Sequence, residues 1–224
     1  RKMKNFKLYI FIALIFACES SSDIGRLDGG GLGFSGEGSS NTGIGGSMAR
    51  FTIVGDYLYT VDSYDLKSFD ITDQINPEFK EEVNLGWGVE TIFPYNSNLF
   101  IGSQSGMHIY SLEKEDKPTW LSTYEHITSC DPVIVEGDYA YVTLRGGADC
   151  QNFNNQLDII DISDLENPSL FKTYPMINPH GLGIDDNCLF ITEGDYGLKM
   201  YDVSNLNDIK LKKHFKDISS VDVI

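Results

Sequence analysis

Short runs of apolar and β-branched residues alternate with turn residues over most of the chain after residue 50. Turn signals built from Gly, Asp, Asn, Ser and Pro return every eight to twelve residues. No stretch in that part keeps the 3.6-residue apolar period of an amphipathic helix, whereas the short runs suit the strands of a packed sheet. The pattern therefore predicts an all-β protein.

The strand pattern is repeated along the chain with a period of about 41 residues. The pattern of residues 55–77 returns at an offset of 41 in residues 96–118, then in residues 137–168 with an insertion, and finally in residues 186–208. In the second copy we predict strands at residues 92–95, 99–103, 107–112 and 120–124. Four strands in about 41 residues match the size of one β-propeller blade.

The third strand of each unit is apolar on both of its faces. In the third and fourth units one face carries Leu157, Ile159, Leu198 and Met200, and the other carries Ile160, Ile162, Tyr201 and Val203. A strand needs two apolar faces when it lies between packed layers, whereas a strand with one solvated face alternates between apolar and polar residues. Radially stacked blades supply such layers, so a β-propeller of four-stranded blades is favoured over a sandwich or an open solenoid.

Each third strand runs into a short polar motif. The motif is Asp-Ile-Thr at residues 70–72, Asp-Ile-Ser at 161–163 and Asp-Val-Ser at 202–204, and Asn-Pro follows at 76–77 and 167–168. These residue types make turns, because Asp and Ser/Thr side chains accept nearby backbone N–H groups and proline fixes φ. Ser111 replaces the Asp in the second unit, which argues against a metal-binding duty shared by every unit.

The combination of an apolar strand, D-I-[ST] and N-P every 41 or so residues resembles the LVIVD repeat. The resemblance covers about residues 50–224, which hold four units and the start of a fifth. LVIVD repeats are found in bacterial and archaeal cell-surface proteins and are regarded as propeller-forming, so the resemblance implies a β-propeller and says little about activity. Because residues 220–224 align with residues 88–92 at the start of an inner strand, we also expect the array to continue past Ile224.

The N-terminus has the pattern of a bacterial lipoprotein signal. Its first seven residues include four cations, and residues 8–17 form an apolar run that is too short to span a bilayer. The run ends in Ile-Phe-Ala-Cys, which resembles a lipobox and makes Cys18 the expected lipidation site; a plain secretory signal is the alternative. The Gly- and Ser-rich stretch that follows suits a flexible tether. We therefore expect a signal peptide at 1–18, a tether at 19–47 and propeller repeats at 48–224.

We expect the mature protein to be exported and lipid-anchored in the bacterial outer membrane or at the cell surface. Loss of four of the 17 basic residues with the signal leaves 13 against 33 acidic residues, a net charge of −20. So acidic a protein is a poor match for nucleic acid or for direct adsorption to anionic lipid. A protein or glycan at the cell surface is the expected partner. No cofactor is expected, although the charge is compatible with a divalent cation such as Ca²⁺.

Superposition of the units places Glu90, Asp131, His180 and Asp222 in one column, with Ala49 at this position in the first unit. The column lies where the connection from the preceding unit enters the inner strand. Carboxylate oxygens suit Ca²⁺ and an imidazole tolerates a transition metal, so the column is a candidate ligand or metal site. Hydrogen bonds at strand starts, or plain exposure to water, are the alternative.

An insertion that begins at Arg145 separates the second and third strands of the third unit. We expect it on the same face as the column, with Arg145 and Phe153 as candidate contact residues. Cys130 lies in a connection on that face and Cys150 in the insertion, so we predict a disulfide that closes a loop of about 20 residues and contributes about 3 kcal/mol. Cys188, which opens a second strand, is expected to be a core thiol outside this bridge.

These features favour a noncatalytic cell-surface lipoprotein whose propeller presents one loop-bearing face to a protein or glycan partner. A metal-dependent enzyme that uses the column residues around His180 is the alternative, and a scaffold in a surface complex is a third hypothesis. The sequence contains no GxSxG, HExxH, CxxC or Walker motif. The enzyme hypothesis therefore rests on the column alone.

Overall fold

The computed structural model describes residues 47–125, 132–146 and 155–223. The chain divides into two units, Arg1–Gly33 and Phe34–Ile224, and every described residue belongs to the second. Within the described ranges no helix is long and apolar enough to cross a membrane. The predicted features outside these ranges are the signal peptide with Cys18, almost all of the tether, Cys130, Asp131, Cys150 and Phe153.

In the described residues, consecutive strands form four antiparallel sheets of four strands each, as the repeat predicts. The first sheet consists of β1 (Phe51–Val54), β2 (Tyr57–Val61), β3 (Asp65–Asp70) and β4 (Glu78–Asn84). The second consists of β5 (Val89–Tyr95), β6 (Asn98–Ser103), β7 (Gly106–Ser111) and β8 (Thr119–Glu125). The third consists of β9 (Val133–Glu136), β10 (Tyr139–Leu144), β11 (Gln156–Asp161) and β12 (Ser169–Pro175). The fourth consists of β13 (Leu182–Asp185), β14 (Cys188–Thr192), β15 (Leu198–Asp202) and β16 (Lys210–Phe215).

Each sheet is a simple meander, in which neighbours along the chain are neighbours in the sheet. The strands predicted for the second unit are all present, and β5 begins three residues earlier than predicted. The first residue of the turn after each inner strand has a positive φ: 59° at Gly55, 45° at Asn96, 60° at Gly137 and 50° at Asp186. Gly, Asn and Asp adopt this conformation most readily, which explains their place in the repeat.

The sheets pack face to face in chain order, and their inner strands, β1, β5, β9 and β13, contact one another in that order. In β11 of the third sheet, Leu157 and Ile159 belong to the core shared with the fourth sheet. Ile160, the next residue, belongs to the core shared with the second sheet. Both apolar faces predicted for this third strand are therefore buried. In the fourth sheet the predicted face residues Leu198, Met200 and Tyr201 of β15 are half-buried. The result is an all-β, β-propeller-like stack of four blades, and the four described sheets do not close into a ring.

The polar motif after each third strand forms a turn, as predicted. Asp161 Oδ1 accepts hydrogen bonds from the N–H of Ser163 at 2.9 Å and from its Oγ at 2.7 Å, and the first and fourth sheets repeat the backbone bond. The bonds from Ser163 lower the pKa of Asp161 below its usual value. In the second sheet Ser111 Oγ accepts a hydrogen bond from the N–H of Glu113 at 3.1 Å, so a hydroxyl replaces the carboxylate as the acceptor in this turn.

Cys188, the first residue of β14, is disulfide-bonded in the structure. The expectation of a core thiol outside any bridge is therefore wrong. The physical reason is its place at the end of a strand pair beside a hairpin turn, where its side chain is half-buried rather than enclosed. The partner falls outside the described residues, as do Cys130 and Cys150, so the bridge between those two stays a prediction.

Candidate functional site

Residues at or just before the starts of three inner strands converge with the segment before β1 on one pocket of about 110 Å³. We call it the inner-strand pocket. It is lined by Met48, Arg50, Glu90, Thr91, Pro132, Arg145 and His180. The structure thus brings together three of the candidate residues from the sequence, Glu90, Arg145 and His180, which come from three different sheets or connections.

Glu90 reaches the pocket from a β-bulge. The register between β5 and β6 shifts between Val89 and Thr91, so the pairing skips Glu90. A bulge of this kind re-aims the side chain of the extra residue. Glu90 Oε1 accepts a hydrogen bond from Gln104 Nε2 at 3.2 Å, and Gln104 lies in the turn between β6 and β7. One carboxylate oxygen is therefore held in place by the same sheet.

The backbone of His180 joins the third and fourth sheets. Its N–H donates to Thr192 O at 2.8 Å, and its carbonyl accepts a hydrogen bond from Thr143 Oγ1 at 2.6 Å. Ring atom Nε2 lies 3.2 Å from Asn178 Nδ2. Partial burial, and then the positive charge of Arg145, lower the pKa of His180 below its usual 6.5. The ring is therefore mainly neutral at neutral pH and offers a hydrogen-bond donor or acceptor.

Arg145 stands directly after β10, where the insertion begins. The two ends of the insertion are joined by the N–H of Gly146, which donates to Asn155 Oδ1 at 2.9 Å. Asn155 Nδ2 in turn donates to Ile177 O. The base of the insertion is thus tied to the connection that carries His180.

A buried ion pair holds the same connection from the other side. Glu193 Oε1 accepts a hydrogen bond from the N–H of Ile177 at 3.0 Å. Glu193 Oε2 lies 2.5 Å from Lys199 Nζ, and the carboxylate is fully buried. Two side chains, Asn155 at the insertion base and Glu193 directly after β14, therefore position the backbone of Ile177, which lies in the same connection as His180.

Asp222 makes a structural contact instead of lining the pocket. Its Oδ1 accepts a hydrogen bond from Ser47 Oγ at 3.0 Å, and the same Oγ accepts from the N–H of Leu182 at 2.8 Å. This chain of bonds joins the segment before β1 to the start of β13. Of the predicted column, two members therefore line the pocket, Asp222 bonds to a neighbouring segment, and Asp131 lies outside the described residues.

The chemistry of the described pocket is that of two guanidinium groups, one carboxylate and one imidazole. In residues 47–125, 132–146 and 155–223, no group of three or more His, Cys, Asp or Glu side chains is placed to hold a metal ion. A set that includes two guanidinium groups can instead take an anionic or hydrogen-bonding group of a ligand.

A wider groove of about 680 Å³ lies against the outer strands of the second sheet. Trp120 on β8 is 58% exposed there, and its Nε1 donates a hydrogen bond to Thr123 Oγ1 at 3.2 Å. The groove is lined by Ser105, His108, Trp120, Ser122, Thr123, Glu125 and Glu166. None of the candidate residues from the sequence lines this groove. The candidate residues that line a pocket, Glu90, Arg145 and His180, all line the inner-strand pocket.

The sequence analysis missed Met48, Arg50 and Pro132 as pocket residues. A signal for them exists, because Met48 and Arg50 flank Ala49, the column position of the first unit, and Pro132 directly follows a column residue. Inspection of the neighbours of each column position would have found all three. It would not have found the tie between Glu193 and Ile177, which joins parts of the chain that the repeat does not align.

A comparison with curated proteins finds no match. Among solved structures, this chain is similar to a chain of the S. cerevisiae complex of a Dbp5 variant bound to Nup159, a Gle1 variant, IP6 and ADP. The two chains are 12% identical, with a TM-score of 0.47, and the similarity covers 79% of this chain. It covers 43% of the other chain, so this chain spans less than half of the length of that one.

The family model described as the LVIVD repeat matches two segments, residues 45–85 and 129–175. The first segment contains β1 to β4 and the second contains β9 to β12, so each match spans one four-stranded sheet. The third strands of these two sheets, β3 and β11, are the ones that run into the unchanged D-I-[ST] motif. The chain therefore contains LVIVD repeats, detected at two of the four described sheets, within a β-propeller-like fold.

Proposed function

We propose that this chain is a noncatalytic, exported and lipid-anchored cell-surface protein whose repeat domain binds a protein or glycan partner. The observation that carries the proposal is the convergence of Glu90, Arg145 and His180 on the inner-strand pocket. The pocket lies beside the base of the insertion, where one hydrogen bond joins Gly146 to Asn155. A preformed pocket next to a long connection is a common arrangement for binding.

Several connections surround the pocket on one end of the sheets. In a four-stranded meander, the connection into the first strand and the connection between the second and third strands lie at the same end. Residues 176–181 and 193–197 are two such connections in the fourth sheet, and residues 85–88 and 104–105 are two in the second. Rigid sheets that carry varied connections at one end support a binding role better than a purely structural one.

A binding screen tests this role. The exported protein, extracted in detergent, is applied to arrays of bacterial surface glycans and purified surface proteins. We expect binding to a defined component that weakens about tenfold or more in Arg145→Ala, because central contacts dominate binding energy. Trp120→Ala, in the wider groove, serves as the matched control and should bind as the unaltered protein does. Absence of any binding, or loss of binding in Trp120→Ala alone, would overturn the proposal.

The proposed anchor rests on the basic start, the apolar run up to Cys18 and the Gly- and Ser-rich stretch behind it. Cells fed with labelled palmitate should label the unaltered protein and leave Cys18→Ser unlabelled. Protease added to intact cells should then degrade the repeat domain. A labelled Cys18→Ser variant would refute lipidation at this residue, and full protection of the repeat domain would refute exposure at the cell surface.

A further inference from the structure

We propose that Trp87 forms an aromatic platform on which a ring of a neutral glycan stacks. The inference rests on the binding role proposed above and selects a glycan as the partner. Trp87 lies in the connection from β4 to β5, three residues before Glu90 of the inner-strand pocket, and it is 63% exposed. A large exposed indole at the pocket end of the sheets is a candidate contact for a ligand.

The backbone around Trp87 is held in one conformation. Gly86 has a φ of 89° and Gly88 a φ of 93°, values that residues other than glycine rarely adopt. The N–H of Gly88 donates to Ser63 O at 3.0 Å, and the carbonyl of Gly88 accepts from the N–H of Gln104 at 2.9 Å. The indole is therefore displayed from a fixed turn, so a ligand that binds it loses little free energy in ordering the connection.

A second exposed aromatic residue stands beside this turn. The N–H of Leu85 donates to Tyr64 O at 2.8 Å, which joins the connection after β4 to the one between β2 and β3. The N–H of Tyr64 donates to Asp62 Oδ1 at 2.9 Å, and Tyr64 is 50% exposed. Two adjacent connections therefore present a tryptophan and a tyrosine to solvent at the same end of the sheets.

Hydrogen-bonding groups lie next to these two aromatic residues. Gln104, which bonds to Gly88 through its backbone, also donates from Nε2 to Glu90 Oε1 at 3.2 Å. That bond uses one N–H of the amide and one oxygen of the carboxylate. The remaining donor and acceptor atoms of the two side chains suit the hydroxyl groups of a sugar, which both donate and accept hydrogen bonds.

A neutral sugar ring matches this combination of surfaces. One face of many pyranose rings carries mainly C–H groups and packs on the apolar face of an indole, whereas the rim of the ring carries hydroxyl groups. The chain has a net charge of −16, and Glu90 adds a negative charge next to the platform. An acidic glycan is therefore repelled, and a neutral one is not.

The surroundings of Trp87 fit a glycan better than a protein. A tryptophan that anchors a protein interface lies among contacts that exclude water, and charged residues are depleted there. Trp87 is flanked by two glycines, and in the neighbouring connection Asp62 forms an exposed ion pair with Lys67. The rim around the indole is thus mainly polar in these two connections, as a binding surface for hydroxyl groups requires.

Calorimetry on the exported protein in detergent tests the inference with neutral trisaccharides, namely maltotriose, cellotriose and triacetylchitotriose. Trigalacturonate is the acidic probe. We expect at least one neutral trisaccharide to bind with a Kd of about 1 mM and trigalacturonate to bind more weakly. Affinity should fall about tenfold in Trp87→Ala and by less in Trp87→Phe, which keeps an aromatic face. Trp120→Phe, in the wider groove, is the matched control and should leave the affinity unchanged.

The two tryptophans of the chain allow the site to be located by fluorescence. In Trp120→Phe the remaining tryptophan is Trp87, and its emission should shift to shorter wavelength when the sugar displaces water from the indole. In Trp87→Phe the emission of Trp120 should stay unchanged. If Trp87→Ala fails to fold, Glu90→Gln provides a second variant, and its affinity for the sugar should fall about threefold with the loss of a charged acceptor.

Failure of every neutral trisaccharide to bind, tighter binding of trigalacturonate, or equal affinity in Trp87→Ala and the unaltered protein would overturn the inference. A protein partner on the arrays would also overturn it and would leave the proposed function standing. Binding of a neutral trisaccharide at Trp87 without any array partner would instead sink only the proposed function.

Discussion

The first and fourth sheets carry an acidic residue and a lysine at the same two repeat positions, but only the fourth sheet buries them. Each acidic residue directly follows the second strand, and each lysine pairs with the next-to-last residue of that strand. Asp62 and Lys67 lie 3.0 Å apart with 51% and 31% of their side chains exposed. Glu193 and Lys199 lie 2.5 Å apart with 0% and 10% exposed. The same two positions thus carry an exposed pair and a buried pair.

The partners of the two carboxylates explain the difference. Asp62 accepts hydrogen bonds from the N–H groups of Tyr64 and Asp65 at 2.9 Å each, within its own hairpin. The Tyr64 bond, followed by Lys67, lowers the pKa of Asp62 to about 2. Glu193 is one methylene longer and reaches the N–H of Ile177 in the preceding connection. The residue at this repeat position therefore closes a turn within the first sheet. In the fourth sheet it joins that sheet to the connection from the third sheet.

Removal of the buried cation should have the largest effect on stability. Lys199→Met leaves the carboxylate of Glu193 buried without its counter-charge, and such a loss costs about 3–5 kcal/mol. The melting temperature should fall by roughly 10 °C or more, measured by circular dichroism at neutral pH. The contact between Lys199 Nζ and Glu193 Oε2 is an ion pair, and Oε2 accepts no hydrogen bond in the described residues.

The matched control is Lys67→Met in the first sheet, where water screens the exposed pair and no measurable change is expected. A double variant, Glu193→Gln with Lys199→Met, should regain much of the lost stability. The amide oxygen of glutamine still accepts the N–H of Ile177 and carries no charge. Equal losses in Lys67→Met and Lys199→Met would show that burial does not separate the two pairs.

The next effect concerns the second side chain that holds Ile177. Asn155→Ala removes the acceptor of the Gly146 N–H and the donor to Ile177 O, at a cost of about 1–2 kcal/mol. Amide exchange at Gly146 should speed up about tenfold, measured by NMR. Asn84→Ala is the control, because Asn84 Nδ2 donates to Asp65 Oδ1 at 2.8 Å on the exposed edge of the first sheet. Unchanged exchange at Gly146 in Asn155→Ala would contradict the described geometry.

The comparison of the two ion pairs also separates the features of the fold that the sequence predicts from those that it does not. The 41-residue period predicts the four-stranded units, and the apolar alternation around Leu157 and Ile160 predicts that both faces of a third strand are buried. Those features depend only on local order along the chain. The tie from Glu193 to Ile177 depends on how two sheets are placed against each other, and the repeat pattern does not contain that placement.

The candidate site shows the same contrast between features that the repeat predicts and features that it does not. Glu90 and His180 stand out because superposed units place them at one position with chemically active side chains. Arg50 was missed because the superposed position in the first unit is Ala49, and it is the next residue, Arg50, that lines the pocket. Cys188 was assigned to the core from its strand position, but burial falls off at the first residue of a strand beside a turn.

A smaller effect is expected from His180 through pH. Its folded-state pKa is lowered below 6.5, so the unfolded chain takes up a proton first as the pH falls. The stability contributed by neutral His180 is complete above pH 6.5 and is lost as the pH falls from 6.5 toward the folded-state pKa. His180→Gln should flatten this part of the stability curve. An NMR titration that places the pKa of His180 at or above 6.5 would contradict the described burial beside Arg145.

The smallest effect is expected at the turn motif, where the second sheet differs from the third. Asp161→Ser gives the third sheet the hydroxyl that the second sheet has at Ser111, and it removes the charge that the Ser163 N–H and Oγ stabilise. Because this turn is exposed, water screens the bond and the loss should stay below about 1 kcal/mol.

The lowered pKa of Asp161 determines how its contribution to stability changes with pH. Its contribution is present above the unfolded value of 3.8 and is lost as the pH falls through the folded-state pKa. The stability difference between the two proteins, measured by urea denaturation, should therefore shrink below pH 3.8, and a difference that grows there would show that the carboxylate does not hold this turn.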